Sequence, residues 1–255
     1  MIDFDSKKYM ESIQKDIIQL QRGGAEVQYS YGISSPVELS AGYDLNIGGE
    51  TGNNIVLRSD TAVELGGPSK GSCAYSVYGS DRAAVSDMRI TLIGPEISKS
   101  MPFGQIILVG GEKVDEDSYI NLFRCHSDNL RIEGYMVKSS DENLWGRISR
   151  NAMDKGFNLR LLGSVLLEHV KKMMPLSVSA EVIFVTDLTA LEVFRGYYPE
   201  IRRKYQSVKE KKWEKRGINI YDCAFHGNCG QCDDRDICSE INKIARARKQ
   251  LKRTG

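Results

Sequence analysis

Four of the six cysteines in this 255-residue chain fall within 16 residues, at Cys223, Cys229, Cys232 and Cys238, with the spacing C-x5-C-x2-C-x5-C. Thiols held this close repel one another once ionised, and they oxidise unless a cation or cluster neutralises them. A reducing compartment argues against a disulfide framework and for ligation. Zinc takes four thiolates in tetrahedral geometry, usually from two C-x2-C knuckles. Here one C-x2-C is flanked by single cysteines, a poorer match to zinc. A 4Fe–4S cluster accepts more varied spacings, and Gly227 and Gly230 allow tight turns that bring amide N–H groups towards the sulphurs. The spacing favours the cluster, with zinc as the runner-up and a set of free thiols third. His226 lies within the segment and reads as a supporting donor or an exposed loop residue rather than a ligand. Cys73 and Cys125 are isolated and read as core side chains.

The remaining sequence points to a soluble fold. No apolar run approaches the roughly 20 residues that cross a bilayer. The opening MIDFDSKKYM lacks a basic region followed by an apolar stretch, so a cytoplasmic protein with no membrane contact is expected. Charge is unevenly spread. From Arg195 onwards there are 16 Lys and Arg against 8 Asp and Glu, whereas the preceding part carries 19 against 26. A basic tail suits an acidic partner, a nucleic acid or a solvated helix, and helix-forming runs favour the last.

Hydrophobic periodicity and end signals place the elements. Ser6 to Arg22 reads as a helix capped by Ser6, with Tyr9, Ile13, Ile17 and Leu20 on one face and Gly23-Gly24 closing it. Residues 25–60, rich in Gly, Ser and Asn, read as irregular with brief strands. Ile90–Ile93 and Gln105–Val109 are short buried strands closed by glycine. Leu159–Met173 is a helix stopped by Pro175, with His169 on its apolar face expected to be a satisfied core residue. Val178–Thr186 has the continuous apolar character of a central strand, and Asp187 or Thr189 is placed to cap another helix. Tyr198–Arg216 reads as a polar helix with Pro199 in its first turn, and Ser239–Lys252 as a basic one. Glu64-Leu-Gly-Gly-Pro68 has a glycine pair without any nucleotide-loop pattern and reads as a structural turn. His126 has no carboxylate or nucleophile at a readable spacing. The expected fold class is α+β (mixed α/β). Its parts are an N-terminal helix and irregular extension over 1–42, one domain over 43–196, and a linking helix, four-cysteine segment and basic helix over 197–255.

Several strings share an order with a known family. These are Tyr43–Ile47 (YDLNI), Ile55–Arg58, Thr61–Pro68 (TAVELGGP), Ile90–Pro95 (ITLIGP), Ile132–Val137 (IEGYMV) and Leu144–Phe157 (LWGRISRNAMDKGF). From Tyr43 to about Tyr221 the chain resembles the beta subunit of the CO dehydrogenase/acetyl-CoA synthase complex, the CO-methylating acetyl-CoA synthase family. The resemblance implies the family's middle domain, followed by a segment where relatives hold a 4Fe–4S cluster bridged to two nickel ions. It strengthens the cluster reading for Cys223, Cys229, Cys232 and Cys238. The spacing departs from the family's, and no Cys-x-Cys occurs in the sequence, so nickel is not expected.

The resemblance also places Trp145 in the coenzyme A region, beside Arg147 and Arg150. Indole stacking on adenine with guanidinium contacts to phosphates suits that ligand; the competing reading is a half-buried aromatic beside two solvated arginines. Three functions follow. The first is a single-cluster, acetyl-CoA synthase-like protein for electron transfer or docking in anaerobic one-carbon metabolism, partnered by a corrinoid protein or its methyltransferase, or by CO dehydrogenase-type subunits. The second is a synthase completed by another subunit. The third is a zinc-stapled module whose tail (Arg246, Arg248, Lys249, Lys252, Arg253) contacts nucleic acid, which the lack of interleaved aromatics disfavours.

Overall fold

The first helix, α1 (Lys7–Arg22), forms because Met10, Ile13 and Ile17 recur on one buried stripe. Ser6 occupies the capping position, but its hydroxyl makes no cap bond. Instead Asp5 accepts the Lys7 N–H at 2.8 Å, while the Ser6 N–H ties the helix start to the carbonyl of Tyr78 at 2.8 Å. In this computed structural model the described residues are 5–33, 42–48, 55–67, 69–112, 114–126, 130–140, 143–174 and 178–216. The chain divides into two compact units, Met1–Lys204 and Tyr205–Gly255. Within the second, only the distal turns of a helix reaching Arg216 are described.

The first unit has an α+β fold built on two sheets. Five strands lie in the order β1 (Val27–Tyr31), β4 (Arg89–Ile93), β8 (Ser179–Val185), β5 (Phe103–Gly110) and β3 (Ser72–Gly79). The pairs β4–β8 and β3–β5 are parallel, whereas β1–β4 and β5–β8 are antiparallel. A second, antiparallel sheet has the order β2 (Thr61–Gly66), β7 (Asn143–Ser149), β6 (Tyr135–Ser140). Among the described residues the longer helices after α1 are α2 (Glu116–Arg124), α3 (Arg150–Asp154), α4 (Leu159–Met173), α5 (Leu188–Arg195) and α6 (Tyr198–Arg216).

One face of the large sheet packs on α1, α5 and the start of α6, joining Met10, Ile13, Ile17, Tyr75, Ile106, Ile183, Leu191, Phe194 and Ile201 in one core. The opposite face receives α4, where Gly163 lies so close that a Cβ would stand 2.7 Å from Ile90 Cδ1. Strand β8 is buried along its whole length, as its continuous apolar run predicts. Its one charged residue, Glu181, is fully buried and held by Arg89 through two hydrogen bonds of 2.9 and 3.0 Å and by Thr91 at 3.0 Å.

Most sequence-based element boundaries hold, including α4, α6 and the cap of α5, where Asp187 accepts the Ala190 N–H at 2.8 Å. Cys73 and Cys125 are buried core side chains, as expected. His169 is a correction: it is half-buried at the margin of α4, because the buried stripe runs through Leu162, Leu166 and Val170 and leaves it to one side.

Candidate functional site

Strand β7 alternates, and its alternation builds the outer face of the small sheet. Leu144, Gly146 and Ile148 are buried, while Trp145 and Arg147 point the other way and are half-buried. The Arg147 guanidinium lies 4.2 Å from the indole centroid of Trp145. Its Nε donates to Glu64 Oε1 at 3.1 Å, and Nη1 approaches the carbonyl of Val56 at 3.5 Å. Glu64 is the residue opposite Arg147 on β2, so the ion pair is set by strand register. Lys138 on β6 is opposite Trp145 and exposed.

The glycine pair at the end of β2 gives the indole its support. Gly66 and Gly67 adopt positive φ of 68° and 90°. A Cβ on Gly66 would stand 2.4 Å from the carbonyl oxygen of Leu144, and one on Gly67 would stand 3.2 Å from Trp145 Cδ1. Only glycine lets this backbone come so near. The motif expected to be a structural turn ends β2 and leads into a turn in which the Gly67 carbonyl accepts from the Lys70 and Gly71 N–H groups, and Gly67 makes room for Trp145. Arg150 opens α3 one residue beyond Ser149, whose hydroxyl caps the Ala152 N–H at 3.1 Å. There the strand alternation ends, and Arg150 stays exposed. The structure joins Trp145 and Arg147 and adds Glu64 and Lys138, which sequence reading missed. The alternation through Leu144–Ile148 was the signal that could have found their shared face.

Two other polar features lie away from this face. Ser76, Gln105 and His126 come from three separate elements and are buried together. His126 lies 2.9 Å from Ser76 Oγ through Nε2 and 2.8 Å from Gln105 Nε2 through Nδ1. The Ser76 hydroxyl donates to the Leu122 carbonyl at 3.0 Å, so the imidazole donates to Ser76 and accepts from Gln105. That polarity is opposite to an activated serine, and the group serves packing. An open cavity of about 580 Å³ sits at the carboxyl ends of β4 and β8, lined by Asp16 and Asp187 among others. Asp16 accepts the Tyr197 hydroxyl at 2.5 Å, and burial together with that bond pushes the phenol up to about 12. Its acidic lining is a poor place for phosphates.

A family model described as "CO dehydrogenase/acetyl-CoA synthase complex beta subunit" matches residues 44–191, more than half of the chain. The chain belongs to this family. It is similar to the acetyl-CoA decarbonylase/synthase complex subunit beta of Methanopyrus kandleri, with 31% identity over 67% of this chain and 38% of that protein. The corresponding subunit of Archaeoglobus fulgidus is 30% identical over 54% of this chain and 27% of its own length. The carbon monoxide dehydrogenase/acetyl-CoA synthase subunit alpha of Moorella thermoacetica is 26% identical over 71% of this chain and 26% of its own length. The chain therefore aligns with well under half of each relative. The family match spans Trp145, Arg147, Arg150 and the glycine pair.

Cys223, Cys229, Cys232 and Cys238 lie outside the described residues, as does the helix expected over Ser239–Lys252. Among the described residues no group of three or more His, Cys, Asp and Glu is arranged to hold a metal. None of the described helices is long and apolar enough to cross a membrane.

Proposed function

We propose that this family member is a 4Fe–4S protein that acts as an electron-transfer or docking component in anaerobic one-carbon metabolism. Cys223, Cys229, Cys232 and Cys238 would hold the cluster, and the observation that carries the reading is these four thiols following a domain of the acetyl-CoA synthase family. The donor set fits: four cysteines supply the thiolate ligands that such a cluster takes, and neighbouring glycine amides can stabilise its charge. A bound cluster would supply one-electron chemistry. The sequence contains no Cys-x-Cys, so nickel is not part of this proposal. The partners are a corrinoid protein or its methyltransferase, or CO dehydrogenase-type subunits.

The outer face of the small sheet would take the nucleotide end of coenzyme A. Trp145 offers an aromatic surface, while Arg147, Lys138 and Arg150 supply positive charge for phosphates. Arg147 already covers part of the indole, so an adenine would share or displace that contact.

Metal analysis of protein purified without oxygen tests the first claim. It should contain about four irons per chain with a broad absorbance near roughly 400 nm, and no stoichiometric nickel. Serine substitution at any of the four cysteines should reduce the iron content. Zinc alone would favour a stapled binding module and overturn the cluster. A second reading, favoured by the relatives' names, is a synthase completed by another subunit. Acetyl-CoA formation from CO, a methyl-corrinoid and coenzyme A in the presence of such a subunit would establish it.

A further inference from the structure

The two edges of the large sheet are treated differently. Strand β3, at one edge, is buried at every residue, whereas β1, at the other, leaves Tyr29 and Tyr31 47% and 60% exposed. Natural edge strands are usually blunted by lysine, proline or a bulge, because their unpaired backbone groups recruit other strands. The sequence of β1, Val-Gln-Tyr-Ser-Tyr, has neither lysine nor proline, and its pairing to β4 runs without a break in register.

The hydrogen bonds fix which way each residue of β1 points. The Glu26 carbonyl accepts from Gly94 N–H at 2.9 Å, and Gly32 N–H donates to the Met88 carbonyl at 2.8 Å. The even-numbered residues therefore pair inwards with β4, and the backbone groups of Val27, Tyr29 and Tyr31 point to an edge that no other strand pairs among the described residues. The Tyr31 carbonyl confirms that direction, since it accepts from Arg160 Nε of α4 at 3.2 Å. Glu26 and Arg160 are both exposed and stand near opposite ends of the strand.

We propose that β1 is a homodimerisation edge, at which two copies pair antiparallel about a two-fold axis at Tyr29. In that register Tyr29 meets its own counterpart and Val27 meets Tyr31 of the second copy, so every outward N–H finds a carbonyl, that of Tyr31 using its second lone pair beside Arg160. The same operation sets Glu26 opposite Gly32 of the second copy, one residue beyond the carbonyl that Arg160 caps. Even-numbered side chains of β1 share the sheet face on which α4 lies, and Glu26, whose carboxylate accepts from Gln28 Nε2 at 2.6 Å, is on that face, so Glu26 of each copy faces Arg160 of the other. The two acid–base pairs favour this register, and the tyrosines form an aromatic ladder on the other face. The union is isologous and extends the sheet from five strands to ten. A strand of this length gives a weak, concentration-dependent dimer.

Sedimentation velocity of the full chain over a concentration series tests this, with thermal unfolding as a check on folding. The expected result is a monomer–dimer equilibrium. Tyr29→Pro removes an outward N–H without touching the inward ladder and should weaken the dimer at least about tenfold. Glu26→Arg should weaken it by a similar factor, about tenfold, and Glu26→Arg with Arg160→Glu should restore most of the loss. A monomer at every concentration overturns the proposal, as does a dimer that survives both Tyr29→Pro and Glu26→Arg. Failure of the charge exchange to restore association in a folded double variant overturns the antiparallel register.

Discussion

Tyr135 is the one described residue whose buried side-chain polar atom has no hydrogen-bond partner. It is 1% exposed, and its ring packs against Phe157 at a centroid distance of 5.4 Å. Burial drives its phenol far above the usual range, so the hydroxyl stays neutral. The oxygen lies under Gly146, where an added Cβ would be 3.5 Å away, so the phenol fills space that the missing side chain leaves. Phenylalanine at this position keeps the ring contacts and removes only the unsatisfied oxygen. An orphaned buried hydroxyl costs about 1–3 kcal/mol, and the dispersion lost with one atom offsets a few tenths of that. Tyr135→Phe should therefore stabilise the protein by about 1 kcal/mol, a rise of about 2–4 °C in Tm for a chain of this size. Parallel thermal and urea unfolding of the two proteins reads this directly. A loss of stability of about 1 kcal/mol or more would refute the reasoning, because it would mean that the hydroxyl has a partner such as an ordered water.

Other predictions rest on different parts of the first unit. Coenzyme A binding, measured calorimetrically, should weaken about fivefold or more in Trp145→Ala and in Arg147→Ala, and less in the exposed Arg150→Ala. The Asn46 amide and the Lys155 ammonium hold the Glu133 carboxylate below its usual range. Its contribution is present above the unfolded pKa and fades as pH falls through the lower folded value, so Glu133→Gln should flatten the acid limb of a Tm–pH curve. Arg89→Met strands the buried charge of Glu181 and should cost about 3 kcal/mol, whereas adding Glu181→Leu should recover most of it in urea unfolding.

Elements with strong periodicity and a clear cap were legible in the sequence. Leu159–Met173 and the cap at Asp187 are examples, since both signals are local. Strand β3 was not legible. Ser72–Gly79 is buried on both faces, so it lacks two-residue alternation, and its serines and glycine resemble a loop. The buried trio of Ser76, Gln105 and His126 was hidden for another reason. Its members are 21 to 50 residues apart, and only the parallel register of β3 and β5 brings the first two onto neighbouring strands. His169 failed because a helix with a wide apolar face has margins that residue spacing alone does not resolve.

The same logic explains why the small sheet, rather than the large one, presents the candidate ligand face. In the large sheet both faces carry helices, and even its charged Glu181 is consumed by internal bonds. The small sheet buries Val63, Leu65, Tyr135, Leu144 and Ile148 on its inner face, while at its outer face Gly67 brings the main chain against Trp145. Trp145 therefore rests against glycine on one side and Arg147 on the other, with register against Glu64 fixing the guanidinium. Such a site depends on main-chain proximity more than on the identity of neighbouring side chains. Gly67→Ala tests this dependence: its Cβ would press on Trp145 Cδ1 and would sit at a strained φ. The substitution should shift tryptophan fluorescence and weaken coenzyme A binding together, and a change in neither would show that the indole is positioned by other contacts.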